Sequence, residues 1–188
     1  MDSITDHVEV LNNQREPEHH DSIILAEFDK WRVRELILTQ EKALFLWTES
    51  NKYKALFSDF TLGDVANFSR GLLASDSLWY EVIDESDELV GVLSVTELNR
   101  ITDCEVHVLF FDHKLQEKAP LCRQMIEHIF KIYPLRRMTV TIPSICFALI
   151  RWAKKVGFQE EGRKRDSLLM GNRWVDQVIL GILRQEVV

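Results

Sequence analysis

The residues best placed to do chemistry lie in one alternating stretch, Cys104-Glu-Val-His-Val-Leu-Phe-Phe111. Alternation at period two marks a strand with two different faces. Glu105 and His107, two apart, then point to one side, and Val106 and Val108 to the other. A carboxylate or an imidazole at such a place can act as a general base, directly or through water. Either residue serves equally well as a solvated strand residue. A second candidate pair, Ser144 and Cys146, stands at the start of an apolar helical pattern. There a hydroxyl or thiol is a weak candidate for chemistry, beside the plainer roles of helix cap and small core residue. Glu18-His19-His20-Asp21 resembles a metal-ligand run only superficially and reads as a solvated charged segment. No CxxC spacing occurs, and no metal site is expected.

The elements around these residues follow from spacing. After the strand 104–111, residues 113–119 are polar. Pro120 then suits the first turn of a helix, where a missing N–H costs little. Leu121, Cys122, Met125, Ile126, Ile129 and Phe130 form one apolar stripe, and Pro134 ends the helix. Met138–Ile142 is a β-branched strand. Ser144 is expected to cap the next helix, with Ile145, Leu149, Trp152 and Val156 on its buried face and Gly157 as its stop. Strand, crossover helix and strand make a βαβ unit, so strands 103–111 and 137–142 should be parallel neighbours.

Upstream, Trp31–Leu38 reads as a strand and Glu41–Lys54 as a helix with Leu44, Trp47 and Leu56 nearby on a similar face. Thr61 is expected to cap a helix through Leu73 bearing Val65, Phe68 and Leu72. Leu78–Ile83 and Leu89–Val95 are strands joined by the loop 84–87, hence an antiparallel pair. Downstream, 159–165 and 174–183 are strands around a turn at Gly171-Asn172. The pattern predicts an α/β fold with a mixed sheet.

The chain has 188 residues, 46% of them apolar, enough for one domain with a substantial core. The net charge of −7 resides in residues 1–29, where eight acids face Arg15 alone. The remainder is balanced, so binding to nucleic acid through bulk charge is not expected. Residues 1–28 read as an acidic tail, suited to a protein partner, and 29–188 as a single domain. No apolar run reaches the roughly 20 residues of a membrane span, and no signal-peptide pattern is evident. Three cysteines, Cys104, Cys122 and Cys146, fall in core elements, which predicts free thiols and a reducing, cytoplasmic setting.

Residues 31–185 resemble the GNAT superfamily of acyl-CoA-dependent N-acyltransferases. The segments that carry the likeness are Val156-Gly-Phe-Gln-Glu-Glu-Gly162, Gly171-Asn-Arg-Trp-Val-Asp176, Leu180-Gly-Ile-Leu-Arg184 and the hairpin Asp87-Glu-Leu-Val-Gly-Val92. The resemblance implies a mostly antiparallel sheet of six to seven strands with a central parallel pair and flanking helices. It implies acetyl-CoA as cofactor and an amine, on a small molecule or a protein, as acceptor. It places the cofactor along Val108, Leu109 and Phe110 and at the loop containing Gln116, Lys118, Ala119 and Leu121, and a general base at Glu105 or His107.

The chain departs from the family's pattern in that loop. Gln116 matches, but the two glycine positions hold Ala119 and Leu121, Pro120 has no N–H, and Glu117 adds a negative charge. On the second helix, Cys146 and Ala153 stand where the family often has Asn and a thiolate-protonating Tyr. These losses favour a different class of function, a non-catalytic module for protein association. Ala55–Val65 and Leu78-Trp-Tyr80 resemble acetyltransferase-like proteins of tailed bacteriophages, so a virion component is one version of it. A sensor that binds coenzyme A without turnover is a third possibility.

Overall fold

The computed structural model describes residues 23–52, 64–73, 77–97, 102–111 and 114–187. The acidic run around Glu18–Asp21, Thr61 and most of the segment 55–65 lie outside the described residues. Eight strands form one sheet in the order β1-β2-β3-β4-β5-β6-β8-β7: β1 Ile24–Phe28, β2 Trp31–Glu35, β3 Leu78–Ile83, β4 Leu89–Thr96, β5 Glu105–Phe110, β6 Arg137–Pro143, β7 Gln159–Met170 and β8 Arg173–Leu183. Among the described residues four α-helices accompany them: α1 Gln40–Lys52, α2 Val65–Leu72, α3 Ala119–Ile132 and α4 Phe147–Val156. Every adjacent pair is antiparallel except β5 and β6, which are parallel. The α/β fold and its central parallel pair are as the sequence predicts. The eighth strand is β1, inside the segment read as tail, where Asp29 takes a positive φ in the tight turn to β2.

Side-chain alternation assigns the two faces. Val33, Val82 and Phe110 share a face through the register Val33–Val82–Gly91–Phe110. That face carries the main core, covered by α3 and α4. The helix stripe of α3 is the predicted one, with Leu121, Met125, Ile129 and Phe130 all buried. The opposite face, with Val92 and Leu109, packs against Leu46 of α1 and Leu72 of α2. Glu81 is on this face, 1% exposed, and both of its oxygens are paired, to Arg34 Nε and Lys42 Nζ at 2.5 Å each. The buried charge is thus neutralised by two cations from β2 and α1.

Three local expectations change. In α1 the buried residues are Ala43, Leu46 and Ser50, and Leu44 is exposed. α2 is capped by Asp64, whose carboxylate accepts from the Asn67 N–H at 2.8 Å. Cys146, not Ser144, occupies the N-cap of α4. The Ser144 amide is instead held by the Asp176 carbonyl at 2.8 Å, which carries the chain past β6 before the helix starts. Ile145 is consequently exposed, while Ile150, Trp152, Ala153 and Val156 form the buried face.

Candidate active site

β5 and β6 touch at one end and part at the other. Glu105 is the sole β5 residue in register with β6, opposite Thr139, and the Thr139 N–H donates to the Cys104 carbonyl at 2.8 Å. The Phe111 N–H donates to Val90 O at 2.8 Å, so residues 105, 107, 109 and 111 spend their main-chain groups on β4. Those of Val106, Val108 and Phe110 face β6. Beyond the bridge, among the described residues, Val108 and Phe110 meet no strand there.

A cavity of about 190 Å³ occupies this gap. Ser94, His107 and Thr141 line it from the α1/α2 side of the sheet, and Val106, Val108 and Val140 from the other. Met125 and Ile129 of α3 and Trp152 and Ala153 of α4 form its floor. The cavity therefore passes through the plane of the sheet.

Two buried polar atoms on its wall have no hydrogen-bond partner, Ser94 Oγ and Trp152 Nε1. Buried polar groups are nearly always satisfied. Two such atoms on one cavity wall are available to water or to a ligand that enters the cavity. Trp152 is positioned by an edge contact with Phe110, 6.2 Å between centroids at 80°. Phe110 in turn lies across Gly91, where a Cβ would come within 2.3 Å of its ring.

His107 and Ser94 are directly opposite each other on β5 and β4. His107 is half exposed, with Nε2 3.4 Å from Thr96 Oγ1 and 3.9 Å from Glu105 Oε2. Its pKa is held below the ordinary value by desolvation, which outweighs the opposing pull of Glu105 and Glu97. That shift favours the neutral imidazole over the charged one. Beside the bridge, Arg137 contacts Glu161 at 2.5 Å and Asp103 at 3.5 Å, and Thr139 Oγ1 donates to Asp103 at 2.9 Å. This network fixes the closed end of the gap.

The other candidates are placed differently. Val108 and Leu109 line the cavity, and Phe110 acts through Trp152. Cys146 and Ser144 do not line it. Burial pushes the Cys146 thiol pKa up, away from nucleophilic character. Gln116 is exposed and its carbonyl accepts from Lys155 Nζ at 2.9 Å. Lys118 is fully buried, its ammonium 4.5 Å from the Trp31 ring centre and 4.9 Å from that of Phe110. Ala119 and Leu121 bury their side chains in the core, so they can offer a ligand only main-chain N–H groups. Pro120, in the first turn of α3, offers none. Sequence reasoning missed Ser94 and Thr141. It took Trp152 only as core, because nothing in an apolar pattern marks an indole N–H as unpartnered. Among the described residues no cluster suited to a metal ion occurs, and no helix is long and apolar enough to cross a membrane.

A mixed sheet opened at a central parallel pair and flanked by helices is the architecture of the GNAT fold. The family model described as acetyltransferase (GNAT) domain matches residues 67–179, and the chain belongs to that family. Among solved structures it is similar to a chimera of the spermidine N-acetyltransferase SpeG from Vibrio cholerae with hSSAT, at 16% identity over 85% of this chain and 98% of that one, TM-score 0.73. The Vibrio cholerae enzyme in complex with CoA and spermine matches at 15% identity over 84% of this chain and 98% of that one, TM-score 0.70. Its dodecameric structure in an intermediate state matches at 15% identity over 84% and 95%, TM-score 0.68. At these identities the likeness concerns the fold. No curated protein matched the sequence.

Proposed function

We propose that the chain transfers an acyl group, acetyl in the simplest case, from a coenzyme A thioester to an amine. The observation that carries this reading is the cavity through the sheet, with Ser94 Oγ and Trp152 Nε1 orphaned on its wall and His107, its neutral form favoured, at its edge. These residues fit the pantetheine and thioester part of the cofactor. The free main-chain edge of Val108 and Phe110 is suited to an amide-bearing arm, which can bond to it as a strand would. Coenzyme A supplies an activated acyl carbonyl. His107 Nε2 accepts the proton that the amine gives up as its nitrogen joins the acyl carbon and the carbon–sulfur bond breaks. Glu105, 3.9 Å away, stabilises the imidazolium that results. With Ala153 in place of a phenol, the departing thiolate takes its proton from water, and the imidazolium of His107 returns its own proton to the hydroxide so formed, which restores the neutral imidazole. Glu97 and Glu105 beside His107 favour a cationic acceptor, consistent with the amine substrates named for the similar structures.

The diphosphate end is weaker. Pro120 lacks a donor and Lys118 is committed to its aromatic box. This favours a second reading, a non-catalytic module, such as a virion component, that associates with a protein through the acidic segment ahead of β1. Calorimetry with acetyl-CoA, followed by an amine panel with the parent, Glu105→Gln and His107→Ala, separates the two. The enzyme reading expects binding and a loss of about 10²-fold or more for His107→Ala with folding intact. No binding and no turnover in the parent refutes it and promotes the module.

A further inference from the structure

The opening in the sheet has two unlike sides. Ser94, His107 and Thr141 give the α1/α2 side its polar groups. The cavity residues that belong to the main core make up the other side. Only two of them carry a side-chain hydrogen-bond donor, Cys122 of α3 and Trp152 of α4. Cys122 shows what that wall does to a sulfur anion. Burial pushes its thiol pKa up to about 12, and the opposing charge of Lys118 does not undo it. The sulfur of a thioester that breaks in the same surroundings meets the same penalty as its charge develops, unless a donor is there to bond it.

Trp152 is placed to be that donor. Its Nε1 has no partner, in a residue 5% exposed. The edge contact with Phe110 holds the indole against the parted section of β5, because Phe110 is beyond the Glu105–Thr139 bridge. His107 is between that bridge and Phe110 on the same strand. With the acyl carbon in reach of His107 and the arm running along Val108 and Phe110, the sulfur falls on the Phe110 side of His107, which is the side that carries the indole. The main-chain N–H groups of the free edge are taken by the arm. We infer that the Trp152 indole N–H donates a hydrogen bond to the coenzyme A sulfur and is a catalytic residue of the acyl transfer. The inference rests on the acyltransferase reading and adds a residue to it. As the carbon–sulfur bond breaks, its electron pair goes to sulfur, and the indole holds the thiolate without giving up its own proton. Water then protonates the sulfur as before. A neutral thioester sulfur is a weak acceptor, so the bond strengthens as charge develops and acts mainly on the transition state.

The test reads the thiol of bound coenzyme A. Coenzyme A isotope-labelled at the carbon beside sulfur is followed by NMR across a pH series, with protein in excess so that the ligand is bound. The thiol should titrate about one to two pH units higher in Trp152→Phe than in the parent, which is the worth of a hydrogen bond to a charged group. Turnover of acetyl-CoA should fall about 10- to 100-fold in that variant, more than its affinity for acetyl-CoA falls. Where Trp152→Phe does not fold, Phe110→Leu keeps the indole, removes the ring that orients it, and should move both readings the same way by less. A thiol that titrates alike in parent and variant overturns the inference, as do turnover and affinity that fall together. The two claims fail differently. An unmoved thiol with acetyl transfer intact in the parent removes only this role of Trp152. Failure of the parent to bind either coenzyme A or acetyl-CoA removes the acyltransferase reading, and this inference with it.

Discussion

Replacement of Trp152 by phenylalanine separates its two roles, packing and ligand contact. The residue is 5% exposed, stacked edge-on against Phe110, and its Nε1 is buried without a partner. Trp152→Ala removes the whole ring and should cost about 3–5 kcal/mol. Trp152→Phe keeps the edge contact, worth about 0.5–1.5 kcal/mol. It also removes an N–H whose unsatisfied burial costs about 1–3 kcal/mol, against a small packing loss from the smaller ring. The terms oppose each other, so the stability of the unliganded protein should stay within about 1 kcal/mol of the parent. The liganded protein should differ, because the variant cannot make the hydrogen bond that satisfies Nε1. Ligand stabilisation should fall by about 0.5–1.5 kcal/mol. Urea denaturation of parent and both variants, with and without an acyl-CoA, measures all of these. If Trp152→Phe loses as much as Trp152→Ala without ligand, the indole N–H is not an unsatisfied group. If the ligand-induced gain is the same in parent and Phe variant, Nε1 does not face the ligand.

Three further outcomes are expected. Because the folded pKa of His107 is below the unfolded value of about 6.5, the unfolded chain binds more protons in that window, and stability should fall as pH drops below about 6.5; His107→Ala should flatten that slope in urea titrations at pH 5 and 7.5. Glu81→Ala strands Arg34 and Lys42 and should cost about 3–5 kcal/mol by chemical denaturation, whereas replacing all three with apolar residues should cost far less. Pro120→Ala restores an N–H in the first turn of α3 and should tighten coenzyme A binding by calorimetry, but Leu121→Gly, which would complete a glycine-rich loop, should destabilise by at least about 2–5 kcal/mol because Leu121 is fully buried.

Strong periodicity made the centre of the molecule legible. The alternation of 104–111 and the α3 stripe place β5 and α3 without ambiguity, and the crossover rule supplies their parallel partner. Glu105 and His107 fall on the face their spacing requires. Weak or competing signals account for the rest. Ile24–Phe28 is short and flanked by acids, so its strand character shows only once it pairs with β2. α1 carries scattered apolar residues, and its phase is decided by the Glu81–Lys42 pair and by Leu46 packing on Val92. Ser144 has the side chain of a cap, but a strand-side hydrogen bond to Asp176 claims its amide. The substitutions Ala119 and Leu121 read as damage to a phosphate loop, and in the fold they are core residues. The orphaned Ser94 and Trp152 atoms are products of tertiary packing, which no local pattern encodes.

The single bridge at Glu105 and Thr139 also divides the sheet into two blocks of strands. The hairpins β1–β2 and β3–β4, with β5, are joined strand to strand along their length, and so are β6, β8 and β7. Between the two blocks the backbone ladder is almost absent, and the core beneath α3 and α4 does most of the joining. Amide protons of Leu109, paired to β4, should exchange with solvent far more slowly than those of Val108 and Phe110, which face the opening. A slow–fast alternation along one strand is the signature of a strand in mid-sheet that is hydrogen-bonded on one side only, as an edge strand is.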